Sequence, residues 1–302
     1  MKSYVRHIIL PLIAAFIWGT AFVAQSVGAE TIGPFTFNAM RSIVAFVVLA
    51  LGLLVYALFR RSFRVIVTRD KVKKLLLGGF CCGTILATAS YLQQAGIAET
   101  SSGKAAFITA LYIVLVPILA LFRHKKANLF VWMGVATAVV GLYLLCVKEG
   151  FSLAVSDILV MLCALVFSVH ILTVDHFAAD LNGVSLSCVQ FFVVTVWSTL
   201  GALFFETVPW ELTGTFLWPV LYVGVFSSGV AYTLQIVAQK GANPTIVSLL
   251  LSLESVFGVL AGVLINHETM LPREYFGCGL MLLAVLLAQI PTKRKDKALQ
   301  AG

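Results

Sequence analysis

Charge is scarce in this chain: Asp, Glu, Lys and Arg together make up 11% of 302 residues, and no polar stretch is long enough to fold outside lipid. That scarcity excludes a soluble domain of any size. The six cysteines (Cys81, Cys82, Cys146, Cys163, Cys188 and Cys278) contain no CxxC and no metal-ligand spacing, so they read as small apolar core residues. A phosphate-binding loop is also missing. Gly96 and Gly103 are too far apart and Ala105 stands where Ser or Thr is required, which leaves no sign of ATP coupling. No segment carries a dense His, Asp and Glu cluster, so no metal and no other cofactor is expected.

What the chain has in abundance is apolar length. Hydrophobic residues make up 60% of it, arranged in ten stretches at about 8–27, 35–59, 75–95, 103–122, 128–147, 157–174, 184–205, 216–238, 244–265 and 274–291. A helix crosses the hydrocarbon core with roughly 20 such residues. The expected fold class is therefore an all-α integral membrane protein of ten transmembrane helices. The formal charge of +8 does not point to nucleic acid, because Lys and Arg crowd into alternate breaks. Arg60, Arg61, Arg64, Arg69, Lys71, Lys73 and Lys74 fill one, Arg123, Lys125 and Lys126 another, and Lys293, Arg294, Lys295 and Lys297 the tail. Seventeen Lys and Arg fall on one side and three on the other. This positive-inside pattern puts both termini in the cytoplasm and makes anionic lipid a partner of the basic face. The N-terminus imitates a signal peptide, with Lys2 and Arg6 ahead of an apolar run, yet removing it would spoil the charge alternation. It is read as a retained first span.

A faint internal repeat is superimposed on these spans. Ala15-Phe16-Ile17-Trp18-Gly19 resembles Ala164-Leu165-Val166-Phe167-Ser168, Leu92-Gln93 matches Leu234-Gln235, and Gly134 and Gly141 fall opposite Gly277 and Ala284. Halves at 1–150 and 151–302 then hold five spans each. An odd number forces the second copy to enter the membrane from the other side, and such inverted repeats place a substrate site near the midplane between the halves.

Trp18-Gly19, Arg41, Ser252-Leu253-Glu254, Glu268 and Gly277-Cys278-Gly279-Leu280 together resemble the EamA group of the drug/metabolite transporter superfamily. The resemblance covers essentially the whole chain. It implies ten helices in two inverted repeats that move small metabolites, often outward, with amino acids as the leading substrate class. Two positions depart from the pattern: Ser255 stands where a Pro usually follows the Glu, and Arg123-His124-Lys125 where a Glu is common. The first departure puts a local helix bend in question, and the second falls in a loop.

Ionisable groups inside membrane helices are functional candidates because they are costly to keep there. Glu254 lies roughly 15 Å beyond Pro244 at ~1.5 Å per residue, near the bilayer centre. Arg41 sits early in the second span and could pair with it. His170 is a candidate for proton coupling, with a satisfied core histidine as the plainer reading; Asp157 reads as a helix cap. Polar rows at spacings of three and four mark helix faces turned from lipid: Asn38, Arg41 and Ser42; Thr84, Thr88 and Tyr91; Lys104, Ile108 and Tyr112; Ser228, Tyr232 and Gln235; Ser248, Ser252 and Ser255. Trp18 and Trp197 lie inside spans instead of at the interfacial belt. Gly79-x-x-x-Gly83 and Gly258-x-x-x-Gly262 permit close helix approach, within the bundle in preference to a dimer.

The expected activity is secondary transport of a small organic molecule by alternating access, more in the direction of export, either driven by a gradient, with protons as the candidate coupling ion, or passive. No catalytic residues are expected. A membrane-embedded hydrolase using Ser227 or Ser228 with His170, or a non-transporting scaffold, are the alternatives. The oligomeric state, monomer or homodimer, is left open.

Overall fold

Hydrocarbon offers no hydrogen-bond partners, so a chain this apolar satisfies its backbone internally, and helices do so within each segment. The computed structural model describes residues 5–59, 69–100, 102–123, 127–146, 154–207, 216–266 and 270–290. Among them every regular element is helical. A π-helical turn at Val5–Ile9 leads into α1, Leu10–Ala29, followed by α2, Pro34–Phe59, and α3, Arg69–Ile97. Next come α4, Ser102–Ala110, α5, Tyr112–Leu121, α6, Leu129–Cys146, α7, Val155–Ala178, and α8, Gly183–Phe205. α9, Leu217–Tyr222, continues through a π-helical stretch, Val223–Ala231, into α10, Tyr232–Gln239. α11, Pro244–Leu251, α12, Glu254–Asn266, and α13, Pro272–Ala288, complete the bundle.

Seven of these rods are long and apolar enough to cross a membrane, with α10 and α12 joined to the segments before them, and Ala105–Leu121 and Leu129–Leu145 are shorter apolar helices. Their outward faces carry exposed Leu and Phe, such as Leu51, Leu54, Leu58, Phe204 and Leu286, as lipid-facing surface requires. Arg60, Arg61, Arg64, Lys125, Lys126, Lys148, Glu149, Glu211, Glu268 and the basic tail lie outside the described residues.

The helix starts follow local chemistry. Proline opens α2, α11 and α13, where a missing N–H removes no helical bond. The Asn182 side chain accepts from Ser185 N at 3.1 Å, and Asn243 from Thr245 N at 3.0 Å. Asp157 accepts from Ala154 N at 2.7 Å, the capping expected from the sequence. α2 is capped from another helix: Glu206, at the end of α8, accepts from Phe35 N, Thr36 N and Thr36 Oγ1 at 2.7–2.8 Å. A surface ion pair, Lys74 with Asp180, ties α3 to the turn after α7, and Lys74 holds the Asp180 carboxyl below the usual carboxylate range.

Packing is reciprocal between the two parts of the chain. α3 lies along α7 and α8, while α9, α10 and the π-helical stretch lie along α1, with that stretch also on α2. α12 packs on α1, and α4 and α5 pack on α7. α6 and α13 face one another through small residues. A Cβ added at Gly141 would lie 3.0 Å from Gly277 O, and one at Gly134 would lie 2.7 Å from Ala284 O. As the number rises on α6 it falls on α13, so the two run antiparallel. α2 and α8 are antiparallel as well, with Phe35 stacked on Phe205 and Phe46 against Phe192. Gly79 and Gly83 press against Val189, Gln190 and Val193 of α8, inside the bundle as expected.

Gly277→Leu should therefore force α13 off α6 and lower the melting midpoint in detergent, with overpacking costing about 1–3 kcal/mol. Gly279→Leu, whose added Cβ meets nothing within 4 Å, should leave it unchanged. Equal melting of the two variants would show that the α6–α13 contact does not bear on stability.

Candidate functional site

Two helices break side by side at the centre of the bundle. Leu111 interrupts α4 and α5, and Ser252-Leu253 interrupts α11 and α12. At both breaks the backbone tightens to i→i−3 bonds: Leu111 N to Ile108 O at 3.2 Å, Leu253 N to Leu250 O at 3.3 Å, and Ser255 N to Ser252 O at 3.2 Å. The helix therefore breaks here with Ser255 in place of proline. Ser252 Oγ and Ser248 Oγ each donate to a carbonyl three residues back, at 2.9 Å. A few steps away the π-helical stretch widens the segment that carries Ser227. Non-helical backbone at membrane depth is tolerated where it is buried in protein or lines a cavity.

A cavity opens at this point. α1 supplies Trp18, Phe22 and Gln25 at helical spacing; α2 supplies Arg41, and α3 Gln93. Thr109 and Tyr112 flank the first break, Leu251 and Glu254 the second. Phe167 and Ile171 of α7 face Ser227, Tyr232 and Gln235 across it. Its volume is about 30 Å³. Roughly 10–15 Å³ holds one water, so this conformation admits a pair of waters and nothing as large as an amino acid.

The polar groups are fixed by specific partners. Tyr112 Oη donates to Glu254 Oε1 at 3.0 Å. Arg41 Nη1 donates to Gln25 Oε1 at 3.2 Å, and Gln94 Nε2 holds the Gln25 carbonyl at 3.0 Å. Gln93 Nε2 donates to Thr109 Oγ1 at 3.3 Å, and Gln235 Nε2 to Gln239 Oε1 at 3.1 Å. Trp18 Nε1 donates to Ser227 O at 3.3 Å, and its ring lies 4.8 Å from that of Tyr232. Arg41 and Glu254 share the cavity without pairing, since the hydrogen bonds of each go to a neutral side chain.

Of the residues singled out from sequence, Trp18, Arg41, Tyr112, Tyr232, Gln235 and Glu254 line the cavity. Asn38, His170 and Ser252 are fully buried but off its wall. His170 pairs through Nε2 with Gln190 Oε1 at 2.9 Å and sits edge-on to Tyr232. Among the described residues its Nδ1 has no partner and Ser228 Oγ has none either, so they form no serine–histidine pair for a hydrolase. The row Thr84, Thr88 and Tyr91 departs from expectation. It faces a lateral groove of about 510 Å³ with Phe35, Trp197 and Phe205, on the outside of the bundle. Thr88 turns its hydroxyl back to Thr84 O at 3.1 Å, and Trp197 Nε1 donates to Thr84 Oγ1 at 3.0 Å. Spacing puts three residues on one face without saying where that face points. Gln25, Gln93, Thr109 and Ser227 were not foreseen as lining. Gln93 was visible as the repeat partner of Gln235, and Gln25 lies two turns beyond Trp18 on the same face.

Residues 5–147 and 154–289 each match the EamA-like transporter family. The chain belongs to that family. An uncharacterized transporter from Archaeoglobus fulgidus is 30% identical over 92% of this chain and 84% of its own length. The threonine/homoserine exporter RhtA of Escherichia coli is 23% identical over 98% of this chain and 95% of its own. A solved crystal structure with 17% identity superposes with a TM-score of 0.75, covering 94% of this chain and 96% of the other. As an EamA-like transporter the protein is a multi-pass membrane protein and not an enzyme; its partners are a small-molecule substrate and membrane lipid.

For this EamA-like transporter, Trp18→Ala removes a cavity wall and should lower solute uptake into proteoliposomes about tenfold, the effect of roughly 1.4 kcal/mol. Thr88→Ala, on the lateral groove, should leave uptake unchanged. The reverse order would move the substrate path to the groove.

Proposed function

We propose that the chain is a secondary transporter in the cytoplasmic membrane that exports small organic metabolites, amino acids foremost, by alternating access between inverted five-helix repeats at 1–150 and 151–302. The observation that carries this reading is the antiparallel contact of helices at repeat-equivalent positions. Gly134 and Gly277 are 143 residues apart, as are Gly141 and Ala284. The contacts pair Gly134 with Ala284 and Gly141 with Gly277, as a pseudo-two-fold axis between α6 and α13 requires. The breaks at Leu111 and Leu253 lie at the same kind of separation, and both open onto the cavity. Discontinuous helices meeting at the midplane are a recurring feature of such transporters.

Ten spans follow if α4 with α5, α6 and α13 cross together with the seven long rods, and the Lys/Arg asymmetry then puts both termini in the cytoplasm. Amino acids are favoured by the threonine/homoserine exporter among the relatives and by a cavity whose lining offers a cation, an acid and amides. The small volume fits a contracted state, so transport requires the halves to part on one side at a time. Glu254, at the second break, is the group proposed to couple protons to that movement.

Proteoliposomes containing the full chain should take up L-threonine or L-homoserine faster under an imposed pH gradient than without one. Glu254→Gln should keep the protein folded and remove this dependence. Identical pH profiles in the two proteins would sink the proton role, and no uptake of any solute from a broad metabolite panel would sink the transporter mechanism.

A further inference from the structure

Arg41 is a cation in the middle of a membrane bundle, and among the described residues no anion answers it. It is 4% exposed. A guanidinium does not lose its proton in proteins, so burial cannot neutralise it. Its resident partners are neutral. Nη1 donates to the Gln25 amide oxygen at 3.2 Å, the Phe37 ring lies 6.0 Å from Cζ, and Nε has no partner among the described residues. Among those residues no carboxylate comes within ion-pair distance, and Glu254, on the same cavity, is engaged by Tyr112.

Arginines away from the cavity differ: Arg273 also has an unpartnered Nε but is not on the cavity wall. Arg123 Nη1 donates to Leu172 O at 2.6 Å and Arg6 Nε to Val237 O at 2.9 Å, and both sit near helix ends where water and lipid headgroups share the charge. Among the described residues Arg41 alone combines burial, a cavity wall and an unused donor. Planar guanidinium matches a carboxylate through two parallel N–H···O bonds, and with Nη1 on Gln25 the side-on form through the Nε edge is the one left open.

We propose that Arg41 is the receptor for a carboxylate of the transported molecule, with Gln25 holding the guanidinium in place when the cavity is empty. The inference rests on the transporter reading above and adds the functional group by which the substrate is chosen. Acids should be accepted and the corresponding neutral amides rejected.

The test compares L-threonine with L-threoninamide, which replaces the carboxylate by a neutral group, and with 3-hydroxybutyrate, which keeps the carboxylate and lacks the ammonium. Apparent affinities are read from ligand-induced melting shifts of the purified full chain. Wild type should prefer L-threonine to its amide by about 10- to 100-fold, the range lost with a charged hydrogen bond, and 3-hydroxybutyrate should bind. Arg41→Gln should bring the acid-to-amide ratio to about one, and Arg41→Lys, which keeps the charge without the fork, should leave an intermediate ratio. The proposal is overturned if wild type binds acid and amide alike, if no carboxylate in the set binds, or if Arg41→Gln keeps the preference for the acid. The last result would mean that a group other than Arg41 reads the carboxylate. Uptake by proteoliposomes separates the two levels: transport with an acid-to-amide ratio of one removes the receptor and keeps the transporter, whereas no transport of any solute removes the transporter reading itself.

Discussion

Hydrocarbon gives nothing to a carbonyl, an amide or a charge, and most of this structure follows from that constraint. Helices close their own backbone bonds, so the rods need one another only for shape and for the few polar side chains they carry. Where two rods break, at Leu111 and at Ser252-Leu253, carbonyls lose their regular partners and the chain tightens into i→i−3 turns. Such irregular backbone persists because it is buried among other helices and borders a cavity. The same breaks deliver Tyr112 and Glu254, whose hydrogen bond satisfies a buried acid that would otherwise stand unpaired. Position and chemistry of the site thus have one cause.

Packing between rods relies on small residues because apolar side chains gain little from leaving lipid for protein. Gly19 shows how closely this is tied to the site. A Cβ there would lie 2.6 Å from the Glu254 carbonyl and 2.7 Å from Gly258 N, so α1 touches α12 at the turn that holds the acid. Trp18, one residue earlier, is held against the cavity by that same contact and by its bond to Ser227 O.

The apolar rods, the cap at Asp157 and the bundle-internal role of Gly79 and Gly83 were readable from sequence, because length, spacing and cap chemistry are local properties. Trp18, Arg41, Glu254, Tyr112, Tyr232 and Gln235 were readable for a second reason: polar or amphipathic groups at mid-membrane depth have few places to go. The azimuth of each helix was not readable. Thr88 and Tyr91 keep the spacing of a lining row yet face the groove, since rotation about the helix axis is set by neighbours such as Phe35, stacked 4.1 Å from Tyr91, and Trp197. Gln25 looks like an isolated amide in the sequence until Arg41 is brought beside it, and Gln93 shows there only as a repeat match, without its partner Thr109. His170 was singled out by its type, but Gln190, twenty residues on, turns it into a partner within the core.

The proposed repeats divide the cavity in an informative way. Its neutral wall is nearly duplicated: Trp18 corresponds to Phe167 and Phe22 to Ile171, each 149 residues on, and Gln93 corresponds to Gln235, and all six line the cavity. The charges are not duplicated. At the same offsets Arg41 corresponds to Gln190, which bonds His170 instead, and Glu254 corresponds to Tyr112, the neutral group that donates to it. A symmetric scaffold has equivalent ways of opening to either face, as alternating access needs, but it has no preferred direction of its own. One unduplicated cation and one unduplicated acid make the two openings energetically different, because a charged substrate and a proton would be seen differently from each side. In this reading the duplicated residues provide the movement, and Arg41 and Glu254 provide its polarity.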